Sequence, residues 1–482
     1  MNSVPTPSPD EIPPYTATPL RSWVMAILPV CLIALCAELA TAILNNSTLP
    51  VYYNKGLKIG TDVMTLITIP FFISEALFKS PLGVLADKFG RKPLMLAGSL
   101  VTVFTPLILM AIHYDGAAAT AVAVIICFGF LRLLDGLGGA ALWPSLFAYV
   151  GDTVPENKRG AAMGLLNVTY MVGLALSFLI GGAVDDAFGP IFTGDASVGQ
   201  QMRHVGHAII GHWRHHAPAP VVDAVTQAVS QPGHYFPSFY LASVLFAVAA
   251  ILCATGLHSK AEIRAAAQTE HHEEEEHITW ARFVQAMRAV PQFLAIAFVT
   301  FAGIGCIAQL VKIFAMDEFH LTEKAVGVMA LWPILIIGCL ALPVGHLSDY
   351  WGKTQCVRLG FVLCAIGLWG MPILYSLHVR EIGFIGSAAV MGLGFVLAFP
   401  AWNALLTTLA DADKRGTVIG AVATAQGVGV LLGVSTGGIL YKHVSHIAPF
   451  VAAASLVTIG MLLSLLTIRE SQLKACRQKT VL

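Results

Sequence analysis

Apolar residues in this chain come in blocks of about 20, the length that crosses a hydrocarbon core of about 30 Å at 1.5 Å per helical residue. The blocks lie near 23–44, 63–82, 94–113, 118–150, 160–182, 236–256, 291–315, 323–345, 356–376, 381–409, 416–440 and 447–468. Backbone groups inside a bilayer must bond within their own segment or a closed barrel. No block alternates as a barrel strand does. The expectation is therefore an all-α integral membrane protein with twelve transmembrane helices. Composition agrees: DEKR residues are only 12% of 482, too few to cover a soluble protein of that length.

The chain repeats itself. Residues 157–182 align without a gap on 413–438, so that Lys158, Arg159, Gly160, Gly164, Gly173, Gly181 and Gly182 meet Lys414, Arg415, Gly416, Gly420, Gly429, Gly437 and Gly438, an offset of 256. The same offset carries Gly136, Gly138 and Pro144 to Gly392, Gly394 and Pro400. A second segment, 83–92, meets 345–354 at an offset of 262. Two six-helix repeats follow, in parallel orientation. The expected organisation is a tail at 1–22, a first bundle at 23–257 with an outer insertion at 185–235, a polar linker at 258–290, a second bundle at 291–469 and a tail at 470–482. Glycines spaced by four and eight suit close helix packing, as small-xxx-small faces do.

Formal net charge is zero, so overall charge points to no nucleic-acid partner. Most of the 28 Lys and Arg sit in loops and tails on one side, which the positive-inside rule places in the cytoplasm with both termini. The nine Cys are scattered singly and read as apolar filler with no metal or redox pairing. No GxxxxGK[ST] loop or catalytic triad pattern is present, so neither ATP coupling, a cofactor nor an enzyme is expected.

The segment Gly83-Val84-Leu85-Ala86-Asp87-Lys88-Phe89-Gly90-Arg91-Lys92 resembles, nearly residue for residue, the signature loop of the major facilitator superfamily. The resemblance covers essentially all twelve blocks and implies that family's fold, with a small solute as substrate. It further implies that Asp87 and Arg91 help latch the cytoplasmic face, with Gly83, Gly90 and Lys92 in the gating loop and Gly345, Asp349 and Gly352 as second-half counterparts. At the offset of 262 Arg91 meets Lys353, whereas Lys92 meets Thr354 and has no basic counterpart. Arg132-Leu133-Leu134-Asp135-Gly136-Leu137-Gly138 is similar to the fourth-helix pattern of proton-coupled exporters, with Asp in place of Gln. The fifth-helix pattern of drug antiporters is met in its glycines, but its Gly-Pro pair is replaced by Ser177-Phe178.

Ionisable groups inside a membrane are costly, which makes them functional candidates. Glu38 and Asp135 lie roughly 21–22 Å along their helices from the same side, and Arg132 is one turn from Asp135. These three form a candidate proton-binding cluster, or alternatively a buried structural ion pair. Glu75 is either a second proton carrier or the partner of a loop base. Charges of this kind are expected in the first half alone, the position matching Arg132 being Ala388. Asn45, Asn46, Asn167, Gln309, Asn403 and Gln426 are candidate cavity groups, with Trp143 and Trp402 as aromatic walls; each is also a plausible helix contact. In the insertion, His212, His215 and His216 share a helical face at metal-ligand spacing, although a surface helix with wet-edge histidines serves equally.

The leading expectation is a proton-coupled exporter of amphiphilic compounds, with protons and lipid as its other partners and a monomeric state. Proton-coupled uptake of a nutrient or organic ion is the alternative, and a non-transporting sensor a remote one.

Overall fold

The computed structural model describes residues 20–112, 114, 118–154, 156–193, 231–258, 290–330, 351–409 and 415–467. Its helices are α1 (Leu20–Ala42), α2 (Thr61–Phe89), α3 (Arg91–Ala111), α4 (Ala118–Thr153), α5 (Glu156–Thr193), α6 (Phe236–Gly256), α7 (Pro291–Ala308), α8 (Val311–Phe319), α9 (Lys353–Ser376), α10 (Arg380–Leu409), α11 (Arg415–His443) and α12 (Ala448–Thr467). A further helical segment occupies 323–330. Eleven helices among the described residues are long and apolar enough to cross a membrane. The remaining apolar block, 323–345, is described only as far as residue 330. Neighbouring helices alternate in direction, so one end of the molecule carries Gly90 and the other carries Thr61.

The duplication reappears in the packing. α3 lies on α4 as α9 lies on α10; α1 lies on α5 and α6 as α7 lies on α11 and α12. The atomic details repeat too. A Cβ on Gly98 would stand 2.6 Å from the carbonyl oxygen of Gly138, and one on Gly360 would stand 2.6 Å from that of Gly394. Close backbone approach is what the glycines supply. On α11, Gly429, Gly433 and Gly437 form one stripe against the carbonyls of Phe298, Ala302 and Cys306. Gly90 and Gly352, one at each signature segment, take φ of 103° and 91°. An L side chain is strained there, and the sharp reversal lets the next helix begin at the following residue.

Four boundaries differ from the sequence expectation. First, the gating segment is hardly a loop: α2 continues through Pro81 and Gly83 to Phe89 and leaves only Gly90 between helices. Second, the first helix does not stop near residue 44. It continues through π-helical turns at Ile43–Thr48 and Tyr52–Gly56, separated by Leu49–Val51. Third, the span expected at 291–315 breaks at Gln309 and Leu310, and α8 starts anew. Fourth, α5 runs past 185 to Thr193, and a 3-10 turn at Pro232–Tyr235 leads into α6. Most of the insertion, with His212, His215 and His216, lies outside the described residues, as do 259–289 of the linker.

The two halves meet at the Thr61 end through two crossings that the repeat relates. The Thr61 hydroxyl donates to the Gly438 carbonyl at 3.1 Å; at the equivalent crossing Gly182 presses on the backbone of Glu323. One residue beyond each helix start, Lys442 forks onto Asp62 at 2.8 and 2.9 Å, and the Lys324 N–H donates to Asp186 at 3.2 Å. Because the offsets are 262 and 256, Asp62 matches Lys324 and Asp186 matches Lys442. The acidic and basic positions are exchanged between the crossings, but the bonds differ in kind: Lys442 reaches Asp62 with its ammonium, whereas Lys324 reaches Asp186 with its backbone N–H. Lys55 of the first half also pairs with Asp317 of α8, whose other oxygen accepts from the Tyr441 hydroxyl at 2.7 Å.

Since Lys442 is 43% and Asp62 22% exposed, their pair contributes at most about 1 kcal/mol. Asp62→Lys or Lys442→Asp alone is expected to shift the closed population at this end up to about fivefold, and the double exchange to restore it. Spin-label distances across the Thr61 end check this; failure of the double exchange to recover closure would refute it.

Candidate transport and coupling site

The site grows from the π-helical turn in α1. A π turn inserts an extra residue per turn, which re-aims the side chains after it. Here it brings Asn45 to α4, where the side-chain amide oxygen Oδ1 of Asn45 accepts from Nη2 of Arg132. Nη1 of Arg132 donates to Oδ2 of Asp135, one turn along α4. The other oxygen of Asp135 accepts from the Thr105 hydroxyl on α3. The Arg132 guanidinium lies 4.6 Å from the centre of the Phe71 ring on α2, a cation–π contact. Arg132 is 1% exposed and Asp135 7%. Removing two charges from water is costly, and the network recovers part of that through hydrogen bonds from two other helices and the cation–π contact with a third.

A cavity opens on this pair. Its wall includes Phe71, Leu142, Trp143 and Phe246 on the apolar side and Asn45 and Glu75 on the polar side. Close packing positions it: a Cβ on Gly136 would stand 2.0 Å from the Ser74 hydroxyl and 2.3 Å from the Phe71 carbonyl, so the glycine lets α2 and α4 touch beneath the cavity.

Glu38 is 4% exposed and does not join the Arg132–Asp135 pair. It turns to α5, where it hydrogen-bonds Tyr170 and lies over Gly173, on which a Cβ would stand 3.1 Å from that of Glu38. The connection back to the cavity is aromatic: Tyr170 meets Trp143 edge-on with centroids 5.2 Å apart, and Trp143 is a cavity wall. Glu75 pairs with Lys79 at 2.8 Å, a base on its own helix rather than in a loop, while still lining the cavity.

The remaining candidates are dispersed. Asn46 is half-buried beside Asn45, Gln426 is half-buried on α11, and Gln309 is buried in the turn after α7. Among the described residues, Trp402 packs in the apolar core of the second half, its ring 5.3 Å from that of Phe293 and 6.2 Å from that of Phe361. The side chains of Asp87, Asn167 and Asn403 lie outside the description, as do Gly345 and Asp349. Arg91 bonds Asp152 at 3.2 Å, and Lys92 donates to the Leu257 carbonyl at the end of α6 at 2.8 Å. Among the described residues, no atom lies within 4 Å of a Cβ built on Gly83.

Thr105, Phe71 and Tyr170 were not singled out by sequence, because common helix residues carry no pattern that marks them. A larger departure concerns the second half, which was expected to lack membrane charges. Lys312 and Glu323 are buried there at 2% and 0% exposure and pair at 2.5 Å.

The sequence profile of the Major Facilitator Superfamily matches residues 30–377 and 293–480. Magnetosome protein MamH of Paramagnetospirillum magneticum is 22% identical over 408 residues, covering 83% of this chain and 79% of its own. Multidrug resistance protein 2 of Bacillus subtilis is 22% identical over 418 residues, with 85% and 87% covered. Among solved structures, the xylose transporter XylE from E. coli, in a partially occluded inward open conformation, superposes with a TM-score of 0.67 at 12% identity, covering 93% of this chain and 98% of that one. The duplicated helices, the paired crossings and these matches agree: the chain belongs to the major facilitator superfamily and is a multi-pass membrane transporter of a small solute, not an enzyme.

Proposed function

We propose that this transporter exports amphiphilic, drug-like compounds in exchange for protons, as a monomer with its Gly90 end and both termini in the cytoplasm. The observation that carries the reading is the Arg132–Asp135 pair buried beside a largely apolar cavity. An amphiphilic solute finds aromatic and aliphatic walls there, and a cationic one finds carboxylates at Asp135 and Glu75. Proton and substrate then compete for the same negative charge. When Asp135 takes a proton, its attraction for Arg132 and for a cationic solute falls together, which favours release. Glu38, reached through Tyr170 and Trp143, is the second proton carrier of this scheme. Relatives named multidrug resistance proteins support the substrate class.

The test uses protein in vesicles with an acid lumen and ethidium, a permanently charged cation, as probe. Antiport accumulates the dye in the lumen whichever way the protein is inserted; symport drives it out. Asp135→Asn and Glu38→Gln are each expected to remove the response to the pH gradient. An unchanged response in both variants overturns the proposal.

A further inference from the structure

At the Thr61 end lies a second enclosed set of charges that the central site does not use. Lys312 of α8 donates to Glu323 at 2.5 Å, to the Ser47 carbonyl at 3.0 Å and to the Ser47 hydroxyl at 2.9 Å. An ammonium has three donors, so none is left for another group. Asp185 of α5 is fully buried. One of its oxygens accepts from the Ser238 N–H at 3.0 Å; the other has no partner among the described residues. Asp185 lies one turn beyond Gly182, the residue that presses on the backbone of Glu323, and the two carboxyls repel across the boundary between halves. The set thus holds one cation and two carboxyls in a closed, water-poor contact. With both carboxyls ionised, the one ammonium that bonds the set among the described residues leaves an excess negative charge, an arrangement proteins avoid by binding a proton.

We propose that Asp185 and Glu323 form a gate-proton site: together they hold one proton while the halves are closed at the Thr61 end, and release it when the halves part. The two carboxyls belong to opposite halves, so opening separates them and admits water to both. Closure is then favoured in acid, and is lost as pH rises past the point where the closed pair gives up its proton. This inference rests on alternating access, but not on which compound is carried or on proton coupling at Asp135. Among the described residues, the other groups facing the pair are Asp186 on α5, His234 and Tyr235 before α6, and Lys324 beside Glu323. Of these, His234 is the competing explanation. It is fully buried, with Nε2 3.6 Å from Asp186, and its imidazole is the other nitrogen base at the contact.

The experiment follows spin-label distance between Ile191→Cys on α5 and Val444→Cys after α11, both exposed, in full-length protein whose native cysteines are replaced by alanine, from pH 5 to 9. With no further substitution, a longer distance is expected to grow as pH rises. Asp185→Asn and Glu323→Gln each remove the excess charge, by leaving Lys312 one carboxylate. Both should therefore lose the response and keep the longer population at least tenfold lower at pH 9. Lys312→Met adds to the excess and should open at lower pH. His234→Gln should keep the wild-type response. The proposal is overturned if the wild-type distance ignores pH, if both carboxyl variants respond as wild type, or if His234→Gln alone abolishes the response. Failure is separable from that of the central site: Asp135→Asn and Glu38→Gln should retain this response even where they abolish dye exchange. Should Asp185→Asn misfold, Glu323→Gln and Lys312→Met still decide by their opposite signs.

Discussion

Arg132→Leu is expected to destabilise the protein by about 3–5 kcal/mol, the cost of leaving a buried ion without its partner, and to abolish transport. The loss follows from geometry: with the guanidinium gone, Asp135 keeps only the Thr105 hydroxyl, and Asn45 loses its donor. The informative companion is Arg132→Leu combined with Asp135→Leu. Replacing both members of a buried pair by apolar groups is often neutral or stabilising, so the double variant should regain thermal stability in detergent while remaining inactive. Recovery of stability without activity assigns the pair to transport; recovery of both would show that it serves neither transport nor coupling. A double variant as unstable as the single would show that the shape of the network, rather than its charge, supports the fold.

The second large effect belongs to packing. A Cβ at Gly437 would stand 2.1 Å from the Cys306 carbonyl oxygen, and backbone cannot swing aside as a side chain can. Gly437→Val should therefore push α11 away from α7 and lower stability by more than the 1–3 kcal/mol typical of overpacking, roughly 3 kcal/mol or above. Gly83→Val is the control. With open space at its Cβ among the described residues, it should leave thermal stability within about 0.5 kcal/mol. If Gly83→Val slows dye exchange while unfolding normally, the signature segment acts in another state of the cycle, where that face is covered. If both variants unfold alike, the distinction between the two glycines fails.

What could be read in advance was whatever leaves a periodic or repeated trace. Block length located the spans, and two offsets found the duplication before any helix was placed. Local chemistry at single positions was less legible. Pro81 and Gly83 ordinarily end a helix, yet α2 passes both and runs on to Phe89. Nothing in 43–56 announces π-helical turns, which come from fitting α1 against α5 and α6; without them, Asn45 would not be matched to Arg132. Asp135 and Arg132 were found because charge within an apolar block stands out. Glu38 was found for the same reason, but its partner Tyr170 could come only from coordinates. Lys312 and Glu323 lie near the ends of apolar blocks, where charge normally meets water and excites no attention. Their burial depends on the break after α7 and on the other half closing over them.

The reversed charges at the two crossings have a consequence for assembly. Had both halves kept identical residues after duplication, a first half would dock on another first half as readily as on its own successor. Instead the first half presents Asp62 and Asp186, and the second presents Lys324 and Lys442. Two first halves would bring acid against acid at both crossings, and two second halves base against base. Like charges set opposite one another disfavour the wrong partner even where shape would accept it. The same four positions therefore label the halves as unlike and disfavour the docking of either half on a second copy of itself.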